Sequence, residues 1–136
     1  MKKVVYFFAF FALATLSQEA FAQPGKAKIT TVGGPMLTPD KTEHNFGTIK
    51  KASDGNCVFT IYNTGDQQLE ITNCQGSCGC TTPQCDKTPI APGGFTEIKV
   101  HYDTMRIGPF TKTVTVMWNG TDTKSTVLTI KGEVIE

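Results

Sequence analysis

A chain of 136 residues with 13 Lys or Arg against 12 Asp or Glu has a formal net charge of +1 at pH 7. No polybasic cluster departs from that balance, so nothing in it asks for nucleic acid or for an anionic membrane surface. Five cysteines are an odd number and exclude a monomer in which every thiol is paired.

In chain order, Lys2 and Lys3 precede an apolar run over residues 4–16, and Ala20 and Ala22 place small side chains before a cut after Ala22. This is the three-part layout of a secretory signal peptide. The run falls short of the roughly 20 apolar residues that cross a bilayer. No cysteine adjoins the cut to carry a lipoprotein anchor, and no later run is long enough to span a membrane. The expectation is a signal peptide over 1–22 and a periplasmic or secreted product. Cleavage leaves 114 residues with 11 basic and 11 acidic side chains, which suits one domain.

Residues 23–36 are rich in Gly and Pro and read as a flexible leader, with a weak strand at 28–32. Short alternating runs follow. An extended segment over 42–49 centres on Phe46 and Ile49. Cys57, Phe59 and Ile61 then share one strand face, with Val58, Thr60 and Tyr62 on the other, before Asn63-Thr64-Gly65 turns the chain. Leu69 and Ile71 face one way. Ile98, Val100 and Tyr102 alternate with Glu97, Lys99 and His101. Phe110, Val114, Val116 and Trp118 line one side of the next run, and Leu128, Ile130 and Val134 close the chain. No segment holds a 3.6-residue period. Some seven strands ending in Gly, Pro or Asn turns predict an all-β fold, an immunoglobulin-like antiparallel β-sandwich over 37–136.

Several short marks occur in a fixed order: "HNFGTI" from His44, "FTIYNTG" from Phe59, "SCGCTTP" from Ser77, "IAPGG" from Ile90, "VHYDT" from Val100 and "GPFTKTVTV" from Gly108. In this order the chain resembles the secreted bacterial family named domain of unknown function 1573, common in Bacteroidetes. The resemblance runs from about Leu37 to Glu136. It implies an exported immunoglobulin-like sandwich of the Hydin and major-sperm-protein type, and no reaction. The family motif supplies Cys78 and Cys80; Cys57, Cys74 and Cys85 are additions to it.

Four of the cysteines fall within "NCQGSCGCTTPQC", residues 73–85. In an oxidising compartment they are disulfide candidates. Cys74 and Cys85 flank the motif and can close a loop of about 12 residues, which the chain-entropy relation values at about 3 kcal/mol. Cys78 and Cys80, separated by Gly79, can bridge only under constraint. Pairing of Cys74 or Cys85 with a motif cysteine stays open. Cys57, in register with Phe59 and Ile61, is expected to be a buried free thiol.

Two rival chemistries use the same residues. Thiolates of Cys74, Cys78, Cys80 and Cys85 would form a soft site for Cu(I) or Zn(II), although the C-x2-C knuckle of structural zinc is missing and neither His44 nor His101 is near in sequence. A thiol–disulfide exchanger would ordinarily use C-x-x-C at a helix N-terminus, and C-x-x-C-H haem attachment is absent.

Elsewhere no nucleophile elbow, zincin motif or phosphate loop occurs. Asn119-Gly120-Thr121 reads first as a hairpin turn. Asp103-Thr104-Met105 matches a short O-glycosylation signal of Bacteroidetes exported proteins and marks Thr104. The functional expectation is a non-enzymatic binding or structural module of the cell envelope, without a cofactor, whose partner is a protein or a glycan. Metal handling and thiol exchange are the alternatives.

Overall fold

A computed structural model describes residues 33–136. The signal peptide expected at 1–22 and the weak strand at 28–32 lie outside the described residues, as does most of the leader assigned to 23–36. Eight strands form in chain order: β1 (Leu37–Pro39), β2 (Glu43–Lys50), β3 (Asn56–Asn63), β4 (Ile71–Gly76), β5 (Thr81–Cys85), β6 (Phe95–Tyr102), β7 (Gly108–Trp118) and β8 (Ser125–Ile135). No helix occurs among the described residues. The strands make two four-stranded sheets, sheet A in the order β1-β3-β6-β5 and sheet B in the order β2-β8-β7-β4.

The alternation read from sequence is the burial pattern found. Cys57, Phe59 and Ile61 of β3 and Ile98, Val100 and Tyr102 of β6 point inward from sheet A. Val114, Val116 and Trp118 of β7 and Leu128, Ile130 and Val134 of β8 meet them from sheet B. A period-two pattern buries every second side chain of a pleated strand, so one face of each sheet enters the core. Tyr102 and Phe110 stack across the two sheets with ring centroids 3.8 Å apart.

One pairing departs from the antiparallel expectation. β2 runs parallel to β8, with His44 opposite Ile130 and Ile49 opposite Val134. The cause is a change of sheet just before β2. Asp40 donates its N–H to Thr60 in sheet A, while Thr42, two residues on, accepts from Thr129 in sheet B. A strand that crosses between sheets is free of the hairpin constraint that forces antiparallel pairing. Within β2 the register slips between Asn45 and Thr48, where Gly47 takes φ of +67° and donates its N–H to Asn45 Oδ1. Only glycine adopts that backbone cheaply, and the bulge bends β2 around the sandwich.

The turn after β3 is held by its own last residue. Asn63 is fully buried. Its Nδ2 donates to the carbonyls of Gln67 (2.7 Å) and Ile90 (2.9 Å), and its Oδ1 accepts from the N–H of Gly65 and of Met36. One amide thus ties three loops and secures residues 33–36 against the sandwich, assisted by Thr64 N–H to the Met36 carbonyl. Replacing Asn63 with Ala removes four hydrogen bonds, each worth about 0.5–1.5 kcal/mol net, while the Ile90 carbonyl keeps its bond from Leu69 N–H. Denaturant unfolding of Asn63→Ala is expected to show a loss of roughly 3 kcal/mol with an unchanged m-value. A loss within half a kcal/mol would mean that water replaces the amide.

Candidate functional site

The cysteine segment, read as a loop from its Gly and Pro content, is mostly strand. β4 ends at Gly76, the chain turns through Ser77 to Cys80, and β5 starts at Thr81. Sequence reasoning missed β5 because Pro83 sits within it. Proline removes a backbone donor and is tolerated on an edge strand, where one side of the ladder is empty. β5 pairs only with β6 and is the edge of sheet A; β4 pairs only with β7 and is the edge of sheet B. At Gly76 the two edges come so close that a Cβ would fall on the Thr81 carbonyl.

Two disulfides occupy this edge. Cys74 of β4 is bonded to Cys85 of β5 with their Cα atoms 6.3 Å apart. The bond therefore joins sheet A to sheet B. Cys78 is bonded to Cys80 with a Cα separation of 5.2 Å, entirely within the turn. Cys74, Cys78 and Cys85 are half-buried against the core, and Cys80 is 5% exposed. The Thr81 hydroxyl, itself buried, lies 3.7 Å from Cys78 Sγ and 3.9 Å from Cys80 Sγ. Backbone bonds hold the turn as well: Thr81 N–H to the Cys78 carbonyl, Asp103 N–H to the Cys80 carbonyl, and Ser77 N–H to Thr113.

In this oxidised form the four sulfurs are bonded in two pairs, so ligation of Cu or Zn by Cys74, Cys78, Cys80 and Cys85 requires both bonds to be reduced first. His101 is exposed, with Nδ1 2.9 Å from Asn56 Oδ1. His44 packs edge-on against Phe46 at 4.6 Å, and burial followed by the Lys41 charge holds its imidazole below the usual range.

Cys57 is a free thiol, 6% exposed and facing the core. Burial pushes its pKa up to about 11, against a smaller opposing pull from Lys41. The folded thiol holds its proton more tightly than the unfolded one. Its contribution to stability is therefore complete below the unfolded pKa near 9 and is lost as pH rises toward 11.

Thr104, marked by a short motif in the sequence, is buried in the folded protein. It is 6% exposed, and its hydroxyl donates to the Ser53 carbonyl at 2.7 Å. The oxygen that would carry a glycan is committed to tying the β2–β3 turn to the segment after β6. The folded protein does not present it for modification. Asn119 is committed likewise, with Oδ1 accepting from Glu70 N–H and Nδ2 donating to the Gln68 carbonyl.

The outer face of sheet A holds what sequence reasoning overlooked. Phe95 and Tyr62 stand directly opposite each other on β6 and β3, with ring centroids 6.1 Å apart. Phe95 is 64% exposed and Tyr62 is 42% exposed, and Met36 is also exposed. Their neighbours on the face are Asn56, Val58, Thr60, Glu97, Lys99 and His101, of which Val58 is an exposed hydrophobe. The signal was available: Phe95 falls in register with Glu97, Lys99 and His101, an aromatic residue in the polar phase of the alternation.

The family model described as "Protein of unknown function (DUF1573)" matches residues 37–134, and the chain belongs to that family. No curated protein matches it. Among solved structures it is similar to a protein of unknown function from Porphyromonas gingivalis W83, at 17% identity and a TM-score of 0.67, covering 78% of this chain and 50% of that one. The chain thus spans half the length of that protein. It is also similar to the ASH/PapD-like domain 7 of human CEP192, at 8% identity and a TM-score of 0.62, covering 74% and 85% of the two chains. A third similarity is to the YadV chaperone, at 12% identity and a TM-score of 0.55, over 74% and 52%. These likenesses fix a PapD-like, immunoglobulin-like fold.

Cys74→Ser removes a closure of about 12 residues and is expected to lower stability by about 3 kcal/mol, read as a drop in melting temperature. An unchanged melting temperature would show that the edges hold without the bond. Cys57 is expected to resist iodoacetamide at pH 8 until denaturant is added; alkylation of the native protein would place it at the surface.

Proposed function

We propose that this member of the family is an exported, non-enzymatic binding module of the bacterial cell envelope, which offers the outer face of sheet A to a protein or glycan partner. The observation that carries the reading is the Tyr62–Phe95 pair, two aromatic rings presented together on a mainly polar face that also exposes Val58. Aromatic residues contribute much of the energy at interfaces because they bury large rigid surfaces at little entropic cost. Both rings also stack readily on a second apolar or sugar face.

Export is supported by two kinds of observation. The N-terminal sequence has the signal layout, and two disulfides are at home in an oxidising compartment. A disulfide across the open edge suits a small domain outside the cell, where its core must withstand varying conditions. One neighbour in fold is by its name a chaperone, and that similarity favours a protein over a glycan as the partner. No helix among the described residues is long and apolar enough to cross a membrane.

The reading is tested in the producing cell. Exported protein is expected to begin at Gln23 by N-terminal sequencing and to fractionate with the periplasm or medium. A photoreactive phenylalanine analogue at position 95 is expected to give a discrete cross-linked species that weakens in a Tyr62→Ser background. The same analogue in place of Gln75, on the opposite sheet, should give none. Equal labelling at both positions, or none at 95, would sink the face assignment, and uncleaved precursor in the cytoplasm would sink export.

A further inference from the structure

We propose that the Cys78–Cys80 bridge is a thiol–disulfide exchange site, whose substrate is a protein or small molecule carrying two adjacent thiols. The inference goes beyond the binding face and rests on a different edge of the molecule.

The two disulfides do different jobs. Cys74–Cys85 spans 11 positions and couples two sheets, so opening it releases both edges. Cys78–Cys80 spans only two positions and joins no two elements. The turn that contains it is already fixed by the Thr81, Asp103 and Ser77 backbone bonds and by Thr113 N–H to Ser77 Oγ at 3.1 Å. A bond that adds little to the architecture can open and close without disturbing the fold, which is what a reactive disulfide requires and a structural one does not.

The two sulfurs are also unequal. Cys78 is half-buried and Cys80 is buried. Between them Gly79 is exposed, and a Cβ built on it would meet nothing within 4 Å, so the tip of the turn that carries the bridge is open to solvent. This places Cys78 Sγ as the sulfur attacked and Cys80 as the one that leaves and later resolves. The Thr81 hydroxyl lies within reach of both sulfurs, at 3.7 Å and 3.9 Å. It can donate to whichever sulfur carries negative charge, and hydrogen bonding to a thiolate favours it.

A substrate thiolate attacks Cys78 Sγ; a bond forms between those two sulfurs, and the Cys78–Cys80 bond breaks. Its electron pair remains on Cys80 Sγ, which takes a proton from water. The second substrate thiolate then attacks the substrate sulfur of the mixed disulfide. The substrate disulfide forms, and Cys78 departs with the electron pair and is protonated. The substrate loses two electrons and two protons, and the bridge gains them. A disulfide-bearing partner reverses both steps and restores the bridge.

The test is a redox titration of the mature exported protein in glutathione buffers, with alkylation of free thiols and peptide mapping at each potential. With free thiols alkylated after acid quenching and unfolding, Cys78 and Cys80 are expected to be labelled together while Cys74 and Cys85 remain bonded, and the melting temperature of the unquenched sample is retained. Cys80→Ser, which leaves Cys78 free, is expected to take up glutathione from oxidised glutathione in the native state. Cys78→Ser is expected to lose that adduct, its Cys80 reacting only after unfolding. Thr81→Val should slow uptake on Cys78 with the fold intact. The proposal is overturned if both bridges open at one potential, if Cys78–Cys80 resists reduction until the protein unfolds, or if native Cys80 takes up glutathione as fast as Cys78.

Discussion

A β-sandwich has two open sides, and here the structure depends on how each is closed. On one side the edge strands β4 and β5, which belong to opposite sheets, are joined by the Cys74–Cys85 bond. On the other side the chain itself crosses from sheet A to sheet B between Asp40 and Thr42. Both closures are covalent, one a cystine and one three residues of backbone. A domain of this size buries a modest fraction of its surface, and tying the sheets at both sides limits the ways in which the unfolded chain can separate them.

The edge closure also deals with exposed backbone. An edge strand offers unpaired N–H and C=O groups to any passing chain. On β5 the side away from β6 is blunted by Pro83, which has no N–H, and by the nearness of β4 held at Cys74. On β2 the Gly47 bulge and the Lys131–Glu43 ion pair, 2.6 Å apart and partly exposed, break the flatness of the strand. With edges so managed, the sheet faces remain for recognition, and the Tyr62–Phe95 pair gives one of them an apolar focus. The outer face of sheet B differs in character, since Thr113, Thr115 and Thr129 surround the exposed Met117 and Val127 there.

Two bonds of the same chemical type thus sit a few residues apart with opposite mechanical weight. The difference lies in what each spans. One crosses the gap between sheets, and the other circles within a turn that backbone hydrogen bonds already define. Placing a weightless bond beside a weighted one allows chemistry at the first without cost to the second.

The sequence by itself determined the strand faces, the all-β class, the family and the inward register of Cys57. All of these follow from period-two alternation and from local turn residues, signals that a single segment carries alone. It also restricted the cysteines to a few pairings, through their spacing. Only the tertiary structure decided that β4 and β5 are edges of different sheets, that β2 runs parallel to β8, and that Asn63 binds three loops at once. The same is true of Thr104, whose hydroxyl donates to the carbonyl of Ser53, 51 positions away. The physical reason is common to all of these. They depend on partners distant in the chain, and alternation records which way a side chain points but not what it meets there.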